Sequence, residues 1–169
     1  MTSHISLDEL FRGGTTAALG VSGAEAQRVV SLLRLDPGVT AVRGRMMKDW
    51  EGLYNEFWAA YQFPTYFGRN LEAFVESLSE PDLDPRSASQ ICLVLDPELV
   101  LADAPADELP RLRRMLSEVN RRWQEHVEGD VNGPPGTFAV LLVPNGAEDE
   151  PVSRWQSAGA DIPRLTGTP

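Results

Sequence analysis

Mostly apolar runs bounded by turn residues occur at three places in the chain, residues 39–42, 91–95 and 138–143. Such runs are typical of strands that are buried on both faces of a parallel sheet. A small apolar run at residues 17–21 predicts a fourth strand. The pattern therefore predicts an α/β fold with a small, mainly parallel central sheet.

Four other segments place apolar residues at helical spacing, which predicts helices that each bury one face. The first is predicted to join the strands at 17–21 and 39–42 as a parallel pair. Each segment follows a residue that favours a helix N-terminus, namely Ser22, Asp49, Asn70 and Asp107. In the fourth segment, arginines interleaved with Glu118 and Glu125 predict a solvated, salt-bridged face rather than a phosphate site.

The segment from residue 63 to 78 combines a rigid loop with the start of the third predicted helix. Pro64 restricts the backbone, and Gly68 is expected to supply a turn conformation that other residues avoid. Asn70 is the predicted N-cap, so the helix should begin at Leu71. The sequence therefore predicts a well-ordered entry into this short helix.

Glu72 and Glu76 lie one turn apart on the polar face of that helix. Two like charges at this spacing repel each other by about 0.2–0.5 kcal/mol on an exposed helix. The pair indicates a surface that binds a cation. Ordinary glutamates, which favour helices, would give the same pattern.

The charge of the whole chain changes the picture of what it binds. Its 169 residues carry a net charge of −10, with an isoelectric point near 4.6. Nucleic-acid binding needs clustered lysines and arginines, which argues against a nucleic-acid partner for an acidic chain. The complementary partner of such a chain is a basic protein. A net negative charge also serves solubility, which is the alternative explanation. No apolar run approaches the roughly 18 residues of a membrane span, and the N-terminus lacks a signal-peptide pattern, which together predict a cytoplasmic protein.

Residues for catalysis or metal binding are sparse in the sequence. It has no phosphate-binding glycine loop, a single cysteine at Cys92, and two histidines on unrelated segments, His4 and His126. Glu72 and Glu76 do not suit a glycosidase, whose acids usually flank a cleft from separate elements. The sequence predicts no enzymatic activity, no cofactor and no metal site.

The loop and helix contain a dense pattern of aromatic, turn and acidic residues, namely Phe63, Pro64, Tyr66, Phe67, Gly68, Asn70, Leu71, Glu72, Ala73, Glu76 and Leu78. This pattern resembles the signature of the barstar family, the intracellular inhibitors of the ribonuclease barnase. The resemblance implies a barstar-like fold, with a helix-and-loop surface that blocks a ribonuclease active site and acids that meet its cationic phosphate-binding residues. Carried onto this chain, the partner-binding residues are Tyr66, Phe67, Gly68, Asn70, Glu72, Val75, Glu76 and Glu118.

The resemblance also implies a division of the chain. Residues 38–143 form the barstar-like domain, residues 1–37 add a strand and a helix to it, and residues 144–169 form a tail expected along the domain edge. The implied function is that of an inhibitor or immunity protein against a basic ribonuclease or related toxin domain. The alternative is a module of the same fold with a different toxin or a regulatory protein as partner.

Four residues depart from the family pattern, one of them Pro81, which stands after the helix where barstar has a tryptophan. Glu72 and Glu76 replace aspartates, which moves each carboxylate out by about one bond and adds rotamer freedom. Val75 stands where barstar has a tryptophan. These departures keep the negative charge of the surface and change its shape.

Overall fold

A computed structural model describes residues 4–5, 16–20, 23–80, 89–128, 136–145, 150–158 and 162–165 of the chain. One parallel sheet contains strands β1 (His4–Ile5), β2 (Thr16–Leu19), β3 (Val39–Arg43), β4 (Ser89–Leu95), β5 (Thr137–Val143) and β6 (Arg164–Leu165). The helices are α1 (Gly23–Leu33), α2 (Trp50–Tyr61), α3 (Leu71–Ser79), α4 (Glu108–Glu128) and α5 (Glu150–Ser157). Two short 3-10 helices, Gly44–Met46 and Pro97–Leu99, follow β3 and β4.

The central strands β4 and β5 are buried on both faces, as their apolar runs predicted, whereas β3 at the edge of the sheet is only partly buried. On β4, Cys92 and Val94 point into a core shared with α2, α3, α4 and α5, whereas Ile91 and Leu93 point into a second core covered by α1. All seven residues of β5 are buried. The α/β prediction with a parallel central sheet is therefore confirmed, with helices in layers on the two sides of the sheet.

The order of the strands corrects one predicted pairing. The sheet runs β1-β6-β2-β5-β4-β3, so β2 and β3 are parallel but are not neighbours. Strands β5 and β4 lie between them, and α1 connects β2 to β3 across that distance. Strand and helix order along the chain predicts direction, but it does not reveal which later strands insert between the two.

Strand β4 also begins earlier than its apolar residues indicate. The apolar run predicts a strand that begins at residue 91, yet Gln90 is 2% exposed and pairs with Phe138 of β5. The polar side chain conceals this residue from a hydrophobicity pattern. Residues 81–88, which precede the strand, lie outside the described residues.

The C-terminal segment is part of the core, so the expectation that it lies along the domain edge is wrong for α5 and β6. Trp155 of α5 is fully buried, and its indole N–H donates to the carbonyl oxygen of Pro97 over 2.9 Å. Arg113 of α4 donates in turn to the Trp155 carbonyl over 2.8 Å. Strand β6 pairs with both β1 and β2, inside the sheet.

Within the described ranges, none of the helices is both long enough and apolar enough to cross a bilayer.

The buried indole of Trp155 yields a test of this packing. We expect Trp155→Ala to lower the free energy of unfolding by about 3–5 kcal/mol, because it leaves a large cavity and removes one of the two hydrogen bonds that the Pro97 carbonyl accepts. Leu35→Ala is the control, since Leu35 is 80% exposed and its truncation should change stability by no more than about 0.5 kcal/mol. Urea unfolding measures both, and equal stabilities for the two variants would contradict the buried position of α5.

Candidate functional site

The loop between α2 and α3 rests on a cluster of aromatic rings, which we call the aromatic cluster. Phe67 of the loop packs edge-on against Phe63 with ring centroids 5.0 Å apart, and Phe57 packs edge-on against Phe74 at 4.9 Å. Such geometry adds about 0.5–1.5 kcal/mol per pair beyond the burial itself. The cluster comprises Tyr54, Phe57, Tyr61, Phe63, Phe67 and Phe74.

Trp58 ties the loop to α2 through polar contacts. Its indole N–H donates to the Phe63 carbonyl over 2.8 Å, and the Phe63 amide donates back to the Trp58 carbonyl over 3.1 Å. The guanidinium of Arg69 lies 5.6 Å from the centre of the Trp58 ring, within cation–π range. Both ends of the loop are therefore anchored to one side chain of α2.

Asn70 starts α3 as predicted, while Gly68 has a different role from the one expected. The Asn70 side-chain oxygen accepts from the Ala73 amide over 2.9 Å. The left-handed backbone conformation falls on Arg69, with φ of 48°, and not on Gly68. A Cβ at Gly68 would lie 2.9 Å from the Asn70 amide nitrogen, so glycine here leaves room for the capping side chain.

The two acids of α3 are exposed and unmatched. Phe74 and Leu78 are fully buried on the inner face of the helix, as the apolar stripe predicted. Glu72 and Glu76 are exposed on its outer face, where neither makes a hydrogen bond or ion pair to any described residue. A binding partner could therefore meet both carboxylates without first breaking a contact within this chain.

An open groove lies between α3 and α4 beside these acids. Leu71, Val75 and Met115 supply its apolar lining, and Val75 is 8% exposed. Val75 therefore lies at the base of the groove. The tryptophan of the barstar pattern, if it stood at this position, would project from that base. The charged lining consists of Glu72, Arg111, Arg114, Glu118 and Arg122.

Glu118 reaches the groove with its charge already matched. Arg121 donates to both carboxylate oxygens over 2.6 and 2.8 Å, and Arg122 donates to one over 3.0 Å. These hydrogen bonds lower the pKa of the Glu118 carboxyl from 4.5 to about 2, and the hydrogen bonding from Arg121 has the largest effect. Arg121 also pairs with Glu125, so the predicted salt-bridged face of α4 is confirmed.

Tyr66 is a large, exposed side chain among the predicted binding residues. Its side chain is 83% exposed at the tip of the loop, while Phe67 next to it is half-buried in the aromatic cluster. Exposed tyrosines on a rigid base are frequent anchors of protein interfaces, because they bury a large area at a small entropic cost.

The structure brings only part of the predicted set into one groove. Glu72, Val75 and Glu118 line it together, and Glu76 lies one turn further along α3. Tyr66, Phe67, Gly68 and Asn70 lie on the loop that leads into α3. Sequence reasoning missed Arg111, Arg114 and Met115, although their spacings of seven, four and three residues from Glu118 place them on its side of α4.

Groups with catalytic chemistry are not gathered in the described part of the chain. Cys92 is fully buried in β4, and burial raises the pKa of its thiol to about 12, so it stays protonated. The described ranges hold no group of three His, Cys, Asp or Glu side chains suited to a metal ion.

Comparison with known proteins gives one family match. The family model described as Barstar (barnase inhibitor) matches residues 38–132, which include β3, α2, the loop, α3, β4 and α4. Neither the curated proteins nor the solved structures contain a match to this chain.

The cap of α3 can be tested by substitution. Asn70→Ala should destabilise the protein by about 1 kcal/mol, because the Ala73 amide loses its acceptor. Asn55→Ala is a matched control on the exposed side of α2, where alanine favours the helix and stability should stay level or rise slightly. Thermal unfolding of the two variants compares them, and equal behaviour would count against the cap.

The matched charge of Glu118 predicts a pH dependence. Because its pKa is about 2 in the folded chain against 4.5 ordinarily, its ion pairs stabilise the fold above about pH 4.5 and lose their effect as the pH falls towards 2. Glu118→Gln should therefore destabilise the protein near neutral pH, with a difference from wild type that shrinks on acidification. Urea unfolding across this range measures the gap, and a gap independent of pH would contradict the ion pairing.

Proposed function

The chain belongs to the barstar family, and on that basis we propose that it binds a basic ribonuclease and blocks the active site with its loop–helix surface. This surface is defined as residues 66–76, from the tip of the loop to the second turn of α3. The observation that carries the proposal is the pair Glu72 and Glu76, exposed and without partners among the described residues. Glu72 lines a groove with an apolar part that a partner can fill, and Glu76 lies one turn further along α3.

The charge of the chain supports this choice of partner. A ribonuclease active site must hold RNA phosphates with cationic side chains, and a carboxylate pair can occupy the same positions. The net charge of −10 would also steer a basic enzyme towards this protein over distances set by ionic screening. The proposed role is that of an immunity protein acting in the cytoplasm.

The shape of the surface supports a protein partner rather than a small molecule. Interfaces between proteins place an apolar centre inside a polar rim. Here Leu71, Val75 and Met115 form the apolar part, and the charged side chains stand around them. Tyr66 adds an exposed ring on one side of this arrangement.

A second candidate function is a module of the same fold that binds a different toxin or a regulatory protein. Two observations favour it: the longer acids at Glu72 and Glu76, and Val75 at the base of the groove in place of a projecting tryptophan. Replacement of Glu76 by aspartate separates the candidates. Glu76→Asp should preserve or improve inhibition of barnase under the first, whereas a partner adapted to glutamate should bind the variant more weakly.

The proposed function is tested by truncating the acids. Glu72→Ala and Glu76→Ala should each weaken inhibition by about 2–5 kcal/mol, Glu76→Ala more, because a cation of the enzyme stays desolvated without its partner. The assay is cleavage of RNA by barnase and by any ribonuclease that the immobilised chain retains from its source cell.

The control removes the same charge from another face. Glu25→Ala lies on α1, which covers the opposite side of the sheet, and should leave inhibition unchanged. All three glutamates are exposed, so their truncation should change stability by only about 0.5 kcal/mol. The proposal fails if wild type inhibits no ribonuclease, or if Glu72→Ala and Glu76→Ala inhibit as well as Glu25→Ala does.

A further inference from the structure

Arginines from α4 stand on the same groove as the acids, and most of them are neutralised within the chain. Arg111 pairs with Glu108 at 3.7 Å, and Arg122 pairs with Glu118 at 3.0 Å. These pairs leave no net charge for a partner to match. A surface that only had to attract cations would need none of these arginines.

Arg114 is different from its neighbours on α4. Its side chain is exposed and lines the groove together with Glu72 and Val75. Within the described part of the chain it makes no hydrogen bond and no ion pair. Arg114 therefore places one uncompensated positive charge across the groove from the acids of α3.

A partner that fills the groove must also cover this charge. Side chains seated on Leu71, Val75 and Met115 would displace water from the adjacent guanidinium. Removing an ion from water without a counter-charge is strongly unfavourable, so a tight complex has to supply an acceptor. The planar fork of arginine fits a carboxylate best, through two parallel hydrogen bonds.

We propose that the ribonuclease presents a carboxylate to Arg114 beside the cations that meet Glu72 and Glu76. The inference rests on the proposed function and narrows the partner to a surface of mixed charge. Arg114 is then a specificity-determining residue, because it repels a uniformly cationic surface that the two acids alone would accept. A cell contains many basic proteins that bind nucleic acids, and Arg114 would lower the affinity for all of them.

The inference is tested by whether substitution of Arg114 weakens or strengthens binding of the ribonuclease. The probe is barnase, or the ribonuclease retained by the immobilised chain if barnase is not inhibited, and the readout is the dissociation constant. Arg114→Ala should weaken binding roughly tenfold and Arg114→Glu roughly a hundredfold, with Arg114→Lys between wild type and alanine. If the enzyme presents only cations to the groove, Arg114→Ala and Arg114→Glu should instead bind as tightly as wild type or more tightly, which would overturn the inference.

A matched control removes an arginine elsewhere. Arg28→Ala lies exposed on α1, over the opposite face of the sheet, and gives the same change in net charge. It should alter the dissociation constant less than about twofold, which measures the long-range effect of charge alone. Thermal unfolding of every variant confirms that the fold is intact.

The outcomes separate this inference from the proposed function. Wild type that inhibits neither enzyme rejects the proposed function, and the inference falls with it. Inhibition that is lost in Glu76→Ala but kept in Arg114→Glu rejects the inference alone. Loss in both variants, with Arg28→Ala unchanged, supports a partner of mixed charge.

Discussion

The loop–helix surface depends on a chain of ring contacts that starts in the sheet. Phe138 of β5 packs against Tyr61 of α2, Tyr61 packs against Phe63, and Phe63 packs against Phe67 at the loop. Each contact is weak, but the rings share buried space in which no single one can move alone. The position of the exposed loop is therefore set by the strand beneath it. The loop is already ordered before a partner binds, so binding does not bear the entropic cost of ordering it.

Electrostatic compensation is uneven across the surface, and this distribution defines the site. On α4, Glu108, Glu118 and Glu125 are paired with arginines of the same helix. In contrast, Glu72 and Glu76 of α3 have no partner among the described residues. A net charge of −10 alone would attract any cation to any face. Under the proposed function, we therefore expect the unmatched side chains beside the groove, and not the total charge, to determine which partner binds.

Much of the fold follows from local patterns, and the exceptions have local causes. The buried runs of β4 and β5 and the caps Asp49 and Asn70 leave strong periodic or capping signals, and the structure contains all of them. Strand β6 has two residues, too few for a period, and its place in the sheet comes from pairing with segments far away in the chain. The same limit applies to the groove, because helix spacing reveals which residues share a face of α4 but not that this face lies beside α3.

The position of β6 affects the order in which parts of the sheet can form during translation. Strand β1, close to the N-terminus, joins the sheet through β6, one of the last described segments to leave the ribosome. Until then the outer edge of β2 has unpaired backbone groups, which are a template for pairing with other chains. The segment from β3 to α4, which carries the loop–helix surface, has by that time been fully translated. Translation order would therefore allow the loop–helix surface to form before β6 covers the edge of β2. During that interval, nascent chains could self-associate through the open edge.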